Sequence, residues 1–190
     1  MSESCNWYAV QTRSNMEQCV VGELATKGIE NFYPSYDEMH QWADRKKMVT
    51  RPLFPGYVLI HCPDSSQAKL RVLQTHGVVR ILGAGRQVEP IPEQQVIGVR
   101  QMLASGKPCF PHPFFRAGAS VRVRRGPLKD LIGTLVRIKQ QTRLVLSVDL
   151  IAQSVATEVD MKDVEVISQA PSQAVFPFRQ SDPISPFSRM

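Results

Sequence analysis

The feature that most restricts this chain is a change of period near residue 117. Ser120-Val121-Arg122-Val123-Arg124 alternates strictly between polar and apolar residues. Thr134–Ile138, Leu144–Val148 and Val155–Val159 follow, and Val164-Glu165-Val166 closes the series. Gly126-Pro127 and Gly133 supply the turns. Five short strands in about 50 residues imply a small barrel, because closing a sheet removes unpaired edges. The strands are dense in β-branched residues, and no helical apolar face runs through 117–167, so a barrel rather than a helical hairpin is expected.

The first 104 residues read differently. Trp7–Gln11 is aromatic and β-branched, hence a strand. Ser14 or Asn15 is placed to cap a helix whose Met16, Val20 and Leu24 share one face, and Gly28 ends it. Asn31–Pro34 is a short strand. Residues 36–51 form two strand-like arms around Asp44-Arg45-Lys46-Lys47, a protruding hairpin with its tip near Asp44. Phe54-Pro55-Gly56-Tyr57-Val58-Leu59-Ile60 is a turn leading into a buried strand. Ser65 or Ser66 caps a second helix expected to carry Leu70 and Leu73 inward. Val78–Leu82 is another strand, Val88–Ile91 a short extended piece, and Pro92 opens a third helix with Val96, Val99 and Leu103 on one face. The order β-α-β-β-α-β, with a hairpin inserted and a helix appended, is a split βαβ arrangement, ferredoxin-like, in an α+β chain. Residues 105–116, with Gly106, Pro108, Pro111 and Pro113, read as a partly stiff linker. Residues 168–190, rich in Pro, Ser and Gln, read as a disordered tail.

Charge separates the two halves. Residues 1–104 carry 11 Lys/Arg against 10 Asp/Glu, and residues 105–168 carry 10 against 6. The basic excess sits in the barrel half, which suits a nucleic acid partner without requiring one. Cys5, Cys19, Cys62 and Cys109 have no repeating interval, and neither His61-Cys62 nor Cys109-x-x-His112 has zinc-site spacing. No metal or cofactor is expected. No nucleotide-binding loop, acid pair or nucleophile elbow stands out, so no catalytic residue is assigned and no enzyme is expected. No apolar run is long enough to span a bilayer, and the N-terminus lacks a signal-peptide pattern; a cytoplasmic, monomeric protein is expected.

Three segments, in order, resemble one family. They are Trp7-Tyr8-Ala9-Val10-Gln11-Thr12, then Pro52-Leu53-Phe54-Pro55-Gly56-Tyr57-Val58, then Val121-x-Val123-x-x-Gly126-Pro127-Leu128-x-Asp130-Leu131-x-Gly133-Thr134-Leu135. With Gly77-Val78-Val79-Arg80 between the second and third, the chain resembles the NusG family of transcription elongation factors. The resemblance implies a ferredoxin-like NGN domain with its inserted β-hairpin (1–104), a linker (105–116), and a small SH3-like KOW β-barrel (117–167). The hairpin segment Trp42–Lys47 and the barrel segment Ser147–Val155 are similar to specialised paralogs that promote transcription of long polysaccharide operons. Where housekeeping members usually carry Phe-Gly-Arg, this chain has Ile151-Ala152-Gln153.

The resemblance also implies partners. Trp7, Tyr8, Phe54, Pro55, Tyr57 and Leu59 would form the surface that grips the clamp helices of the RNA polymerase largest subunit; core packing is the alternative for these residues. Arg13, Gln74, Thr75, His76 and Arg80 would meet the nontemplate DNA strand, with a solvated loop as the alternative. Arg45, Lys46 and Lys47 would reach upstream DNA. Leu150, Ile151 and Gln153 would carry the barrel's contacts, to the termination factor Rho or a small-subunit ribosomal protein. The mechanism implied is a bridge from the clamp helices to the β-subunit lobe that favours the closed clamp and suppresses pausing or termination. Two other readings stay open: a housekeeping factor coupling polymerase to Rho or the ribosome, and a ribosome-associated RNA-binding protein that uses the barrel alone.

Overall fold

A computed structural model describes residues 4–41, 46–84, 87–113, 118–138 and 141–168. The expected tip of the hairpin at Asp44, with Arg45, and the tail from residue 169 lie outside these residues, as do the side chains of Lys46 and Lys47.

The N-terminal half is built on a four-stranded antiparallel sheet in the order β2-β5-β1-β6, made of β1 (Cys5–Thr12), β2 (Glu30–Phe32), β5 (Tyr57–Pro63) and β6 (Val78–Ile81). Strand β1 is central because both its faces are apolar, and alternation decides what each face meets. Tyr8 and Val10 of β1, with Val58, Ile60 and Cys62 of β5, pack beneath α1 (Glu17–Thr26) and α2 (Ser66–Leu73). Trp7, Ala9 and Leu59 face the other way, toward α3 (Glu93–Ala104). The inserted hairpin is present as β3 (Ser35–Gln41) paired with β4 (Lys46–Pro52). A two-residue ladder, β7 (Gly83–Ala84) with β8 (Gln87–Val88), leads to α3.

Helix boundaries depart from expectation in instructive ways. Neither Ser14 nor Asn15 caps α1; Met16 occupies the cap without a side-chain bond, and Asn15 is in the left-handed region at φ 61°. Ser65 does cap α2, its Oγ accepting from the Ala68 N–H at 3.3 Å. Leu70 and Leu73, expected to point inward, are 53% and 46% exposed, while Val72 is the buried residue. Four apolar residues in a helix of two turns cannot all face one sheet, and the face chosen is that of Ala68 and Val72, one turn apart.

The second sheet holds six strands, in the order β14-β10-β11-β12-β13-β9, where β10 is Ala119–Val123, β11 Ile132–Ile138, β12 Gln141–Val148, β13 Gln153–Glu158 and β14 Val164–Ser168. The sixth, β9 (Cys109–Pro113), falls inside the expected linker 105–116 and corrects it. It pairs antiparallel with β13 over Cys109↔Thr157 to Pro113↔Gln153. Prolines fit here for a geometric reason. Pro111 and Pro113 are two residues apart, so both occupy positions whose missing N–H would point away from β13, and β9 is at the end of the sheet order.

The two halves share one hydrophobic cluster. It joins Trp7, Phe54, Leu59, Val96, Val99 and Met102 to Val121, Leu131, Leu144, Leu146, Ile151 and Val155. Helix α3 lies between the sheet and the barrel. Its Gln95, Gly98 and Gln101, one turn apart, meet the barrel. A Cβ on Gly98 would lie 3.0 Å from Leu146 Cδ1 and 3.1 Å from Leu131 Cδ1. Gln101 donates to the Lys129 carbonyl at 2.9 Å, and Gln95 Nε2 donates to Asp149 Oδ2 at 2.9 Å. Phe54, at 1% exposure, is fully inside this cluster. Phe54→Ala is therefore expected to cost about 3–5 kcal/mol of stability, measured by urea unfolding of the full chain.

Candidate polymerase and nucleic-acid surfaces

Four of the six residues expected from the sequence to grip polymerase are buried: Trp7, Tyr8, Phe54 and Leu59 are at most 5% exposed. The expectation that Phe54 projects into solvent is corrected by this packing. Pro55 is exposed and Tyr57 half-buried. Between them Gly56 takes φ 81°, which explains the glycine, and its N–H donates to Glu17 Oε1 at 2.8 Å. Glu17, in the first turn of α1, is 7% exposed and fixes this turn against the helix.

Pro55 opens on a groove of about 440 Å³ lined by Asn15, Glu17, Tyr33, Tyr36, Arg51 and Pro52, with Pro111 of β9 at its far wall. Tyr36 also lines a second groove of about 630 Å³, whose other wall is Lys107, Pro108, Cys109 and Phe110. Half-buried aromatics beside prolines are rigid and partly desolvated, the composition of a protein-binding surface. Sequence reading missed Tyr33 and Tyr36. Their only signal was two tyrosines three apart beside Pro34 at the root of the hairpin. Burial, then the Glu17 carboxylate, pushes the Tyr33 hydroxyl above its usual range.

The residues expected on DNA fall into one patch, with one exception. Strand β1 lies beside β6, with Gln11 opposite Arg80. The Arg13 N–H donates to the Gly77 carbonyl at 2.8 Å, and Arg80 Nε donates to Gln11 Oε1 at 2.8 Å. The His76 N–H donates to Glu23 Oε2 at 3.1 Å. Arg13, Gln74, His76 and Arg80 are all exposed. Gly77, at φ 88°, lets the chain pass so close to α1 that a Cβ would sit 3.1 Å from Met16 and Val20. Thr75 is the exception. It is 3% exposed and accepts from Lys27 Nζ at 2.7 Å, so it buttresses the patch instead of facing solvent.

At the barrel, Ile151 is 5% exposed and belongs to the shared cluster, and Leu150 packs against it. Ala152 is left-handed at φ 48°. Gln153 is half-buried at the start of β13.

A further constellation was not foreseen. Across the sheet, Glu30, His61 and Trp7 lie side by side on β2, β5 and β1. His61 stacks on Trp7 with centroids 4.9 Å apart, and its Nδ1–H donates to Glu30 Oε2 over 2.9 Å. Arg100 of α3 covers the Trp7 ring at 4.6 Å and reaches Glu30 Oε1 at 3.1 Å. Arg100, then His61, holds the Glu30 carboxyl below its usual range. Among the described residues no cluster of His, Cys, Asp and Glu suits a metal, and no helix is long and apolar enough to cross a membrane.

A split βαβ sheet with an inserted hairpin, docked through its last helix on a small barrel, defines a two-unit α+β protein. The family model described as transcription termination factor nusG matches residues 5–100, half of the chain. The chain belongs to the NusG family. It is 26% identical over 175 residues to the transcription termination/antitermination protein NusG of Halalkalibacterium halodurans, covering 85% of this chain and 98% of that one. It is 28% identical over 173 residues to NusG of Vibrio cholerae, covering 84% and 94%. A solved structure described as domain interaction in Thermotoga maritima NusG has the same fold, with a TM-score of 0.51 at 21% identity over 87% of this chain and 98% of that one.

The depressed Glu30 pKa fixes a sign. Its contribution to stability is present above the unfolded carboxylate's pKa and is lost as pH falls through the lower folded value. Glu30→Gln should flatten the acid limb of the stability-versus-pH curve while leaving the neutral-to-alkaline slope unchanged, as read by thermal unfolding across pH.

Proposed function

We propose that this chain is a transcription elongation and antitermination factor that engages the clamp helices of RNA polymerase through the groove opened by Pro55. The observation that carries the reading is the rigid Pro55-Gly56-Tyr57 turn, tied to Glu17, standing beside the half-buried Tyr33 and Tyr36. A groove of about 440 Å³ takes the side chains of an amphipathic helix, not the helix itself, which is about 10 Å across. The helix would lie over the surface, as in other helix-in-groove complexes. From there the N-terminal unit reaches across the cleft to the β-subunit lobe, favours the closed clamp and suppresses pausing or termination.

The Arg13–Gln74–His76–Arg80 patch holds the nontemplate strand in this reading. Guanidinium groups take phosphate, and exposed polar side chains meet unstacked bases. Ile151-Ala152-Gln153 supports a specialised paralog acting on long operons of the polysaccharide type. Ile151 is turned into the cluster, so the usual barrel contacts with Rho or a ribosomal protein lose their central side chain.

Titrating the full chain with a clamp-helix fragment tests the first claim. Tyr36→Ala with Pro55→Ala should weaken binding by at least ~30-fold, the effect of about 2 kcal/mol at an interface anchor. A folded double variant that binds like the parent would sink the groove as the site. For the patch, single-stranded DNA binding is measured against salt. Replacing Arg13 and Arg80 by Ala should flatten the log–log slope by about 0.7 for each phosphate that is no longer neutralised; an unchanged slope would remove the patch from the DNA path.

A further inference from the structure

The inserted hairpin is a two-stranded sheet of its own, paired from Ser35↔Pro52 to Gln41↔Lys46. Such a ribbon is marginal in water, so its cross-strand pairs decide how far along its length it stays closed. The Leu53 N–H donates to the Pro34 carbonyl at 2.9 Å, and this bond fixes the parity. Hydrogen-bonded pairs alternate from there through Tyr36↔Arg51 and Glu38↔Val49. Met39↔Met48 is then a non-hydrogen-bonded pair, in which Cα atoms approach to about 4.5 Å and side chains are closest. Of the pairs in this register it is the one whose members are both apolar. The contacts beside it are polar and in water: Thr50 Oγ1 donates to Asp37 Oδ1 at 2.7 Å, and Arg51 Nε meets Glu38 Oε2 at 2.8 Å. Exposed pairs of that kind stabilise little. Met39 and Met48 are nonetheless 63% and 55% exposed, whereas Met102 in the shared cluster is at 0%.

We propose that Met39 and Met48 are a reversible oxidation site: a hydroperoxide converts both thioethers to sulfoxides, and the ribbon opens from its distal end back to Glu38↔Val49. The sulfur lone pair attacks the terminal oxygen of the hydroperoxide and the O–O bond breaks. The sulfur is oxidised by two electrons and gains that oxygen; the other oxygen takes the proton and leaves as an alcohol or, from hydrogen peroxide, as water. A dithiol reverses the step through the methionine sulfoxide reductases, the oxygen leaving as water while the dithiol becomes a disulfide. The step needs only access to the sulfur, so exposure ranks the methionines, and the hairpin pair stands far above Met102. The structural effect follows from the register. Oxidation turns an apolar side chain into a polar one, and two sulfoxides facing each other at the closest spacing on the ribbon favour water over their partner. The pair lies between Glu38↔Val49 and the distal His40↔Lys47 and Gln41↔Lys46, so its loss frees the distal end first. The root stays in place, because Tyr36 packs on the shared cluster and the Leu53–Pro34 bond closes the ribbon beneath it.

The test uses the full chain and hydrogen peroxide. Peptide mass mapping gives the rate at which each methionine is oxidised, and NMR gives amide exchange at Glu38 and Val49, the bonded pair next to the site. Met39 and Met48 should be oxidised at least ~10-fold faster than the buried Met102, alongside Met161 of the barrel half, which is 56% exposed. Exchange at Glu38 and Val49 should then rise about 2–5-fold, the effect of losing one cross-strand pair. Ala9, in the central sheet, should not change. Methionine sulfoxide reductases with dithiothreitol should restore the starting rates. Met39→Leu with Met48→Leu keeps the pair apolar at similar volume and removes the sulfur; its hairpin amides should ignore peroxide although Met161 is still oxidised. Met39→Gln with Met48→Gln should raise exchange with no oxidant present. Oxidation of Met39 and Met48 no faster than that of Met102 would overturn the site. Unchanged hairpin exchange in the oxidised protein, or an equal rise in the leucine variant, would overturn its effect on the ribbon.

Discussion

The two halves of the molecule depend on the approach of α3 to the barrel at Gly98. With no side chain there, Leu131 and Leu146 rest so near the helix that a methyl group would meet them at 3.0–3.1 Å. This contact makes one hydrophobic cluster out of what the sequence divides in two. It sets the rotation of α3, since Gly98 must face the barrel, and Val96 and Val99 are then buried in the cluster that both halves share. It also brings Gln95 and Gln101 to backbone and carboxylate partners on the barrel, so polar groups at the rim are satisfied as the apolar centre closes. The Arg100–Glu30–His61–Trp7 set then fixes the opposite side of the helix to the sheet. Helix α3 is in this sense a spacer whose two faces decide where both units lie.

What was legible in the sequence is what depends on near neighbours along the chain. Alternation in Ser120–Arg124 gave β10, and the spacing of Val96 and Val99 gave the buried stripe of α3. The hairpin followed from two polar arms, and the order of elements gave the split βαβ sheet. The errors came where local pattern was silent about direction. Leu70 and Leu73 are as apolar as Val72, and only the position of the sheet determines which of them is buried. Phe54 precedes a turn and read as an exposed anchor, but the turn is made by Pro55-Gly56, and Phe54 closes the strand side of it. Strand β9 was hidden by its prolines, which forbid a central strand and permit an edge one; sequence alone cannot say that an edge will be free.

The candidate surfaces share this division. The exposure of Arg13, His76 and Arg80 was legible because they are charged or polar and lie in or beside short strands and turns, where solvent is the default. The groove at the hairpin root, proposed above for polymerase, was only half legible. Its centre, Pro55 and Tyr57, belongs to a recognisable segment, but Tyr33, Tyr36 and Pro111 come from three different elements. A concave surface assembled from a strand end, a hairpin root and a linker has no periodic signature, so its composition emerges only after the chain is folded.

The turn at Asp149–Ala152 shows how one short segment can answer two demands. Its Asp149 carboxylate and N–H are both engaged by the Gln95 side chain, at 2.9 and 3.3 Å. Its Ile151 is inside the shared cluster. Its Ala152 is left-handed, a conformation that costs a residue with a Cβ roughly 1–2 kcal/mol and glycine nothing. A strained residue persists where its surroundings over-determine it, and here Gln95 of α3 and the shared cluster on both sides do so. Freed from α3, the same turn would lose two hydrogen bonds while keeping the strain at Ala152. The turn therefore belongs at once to the barrel, through Ile151, and to its contact with α3, through Asp149.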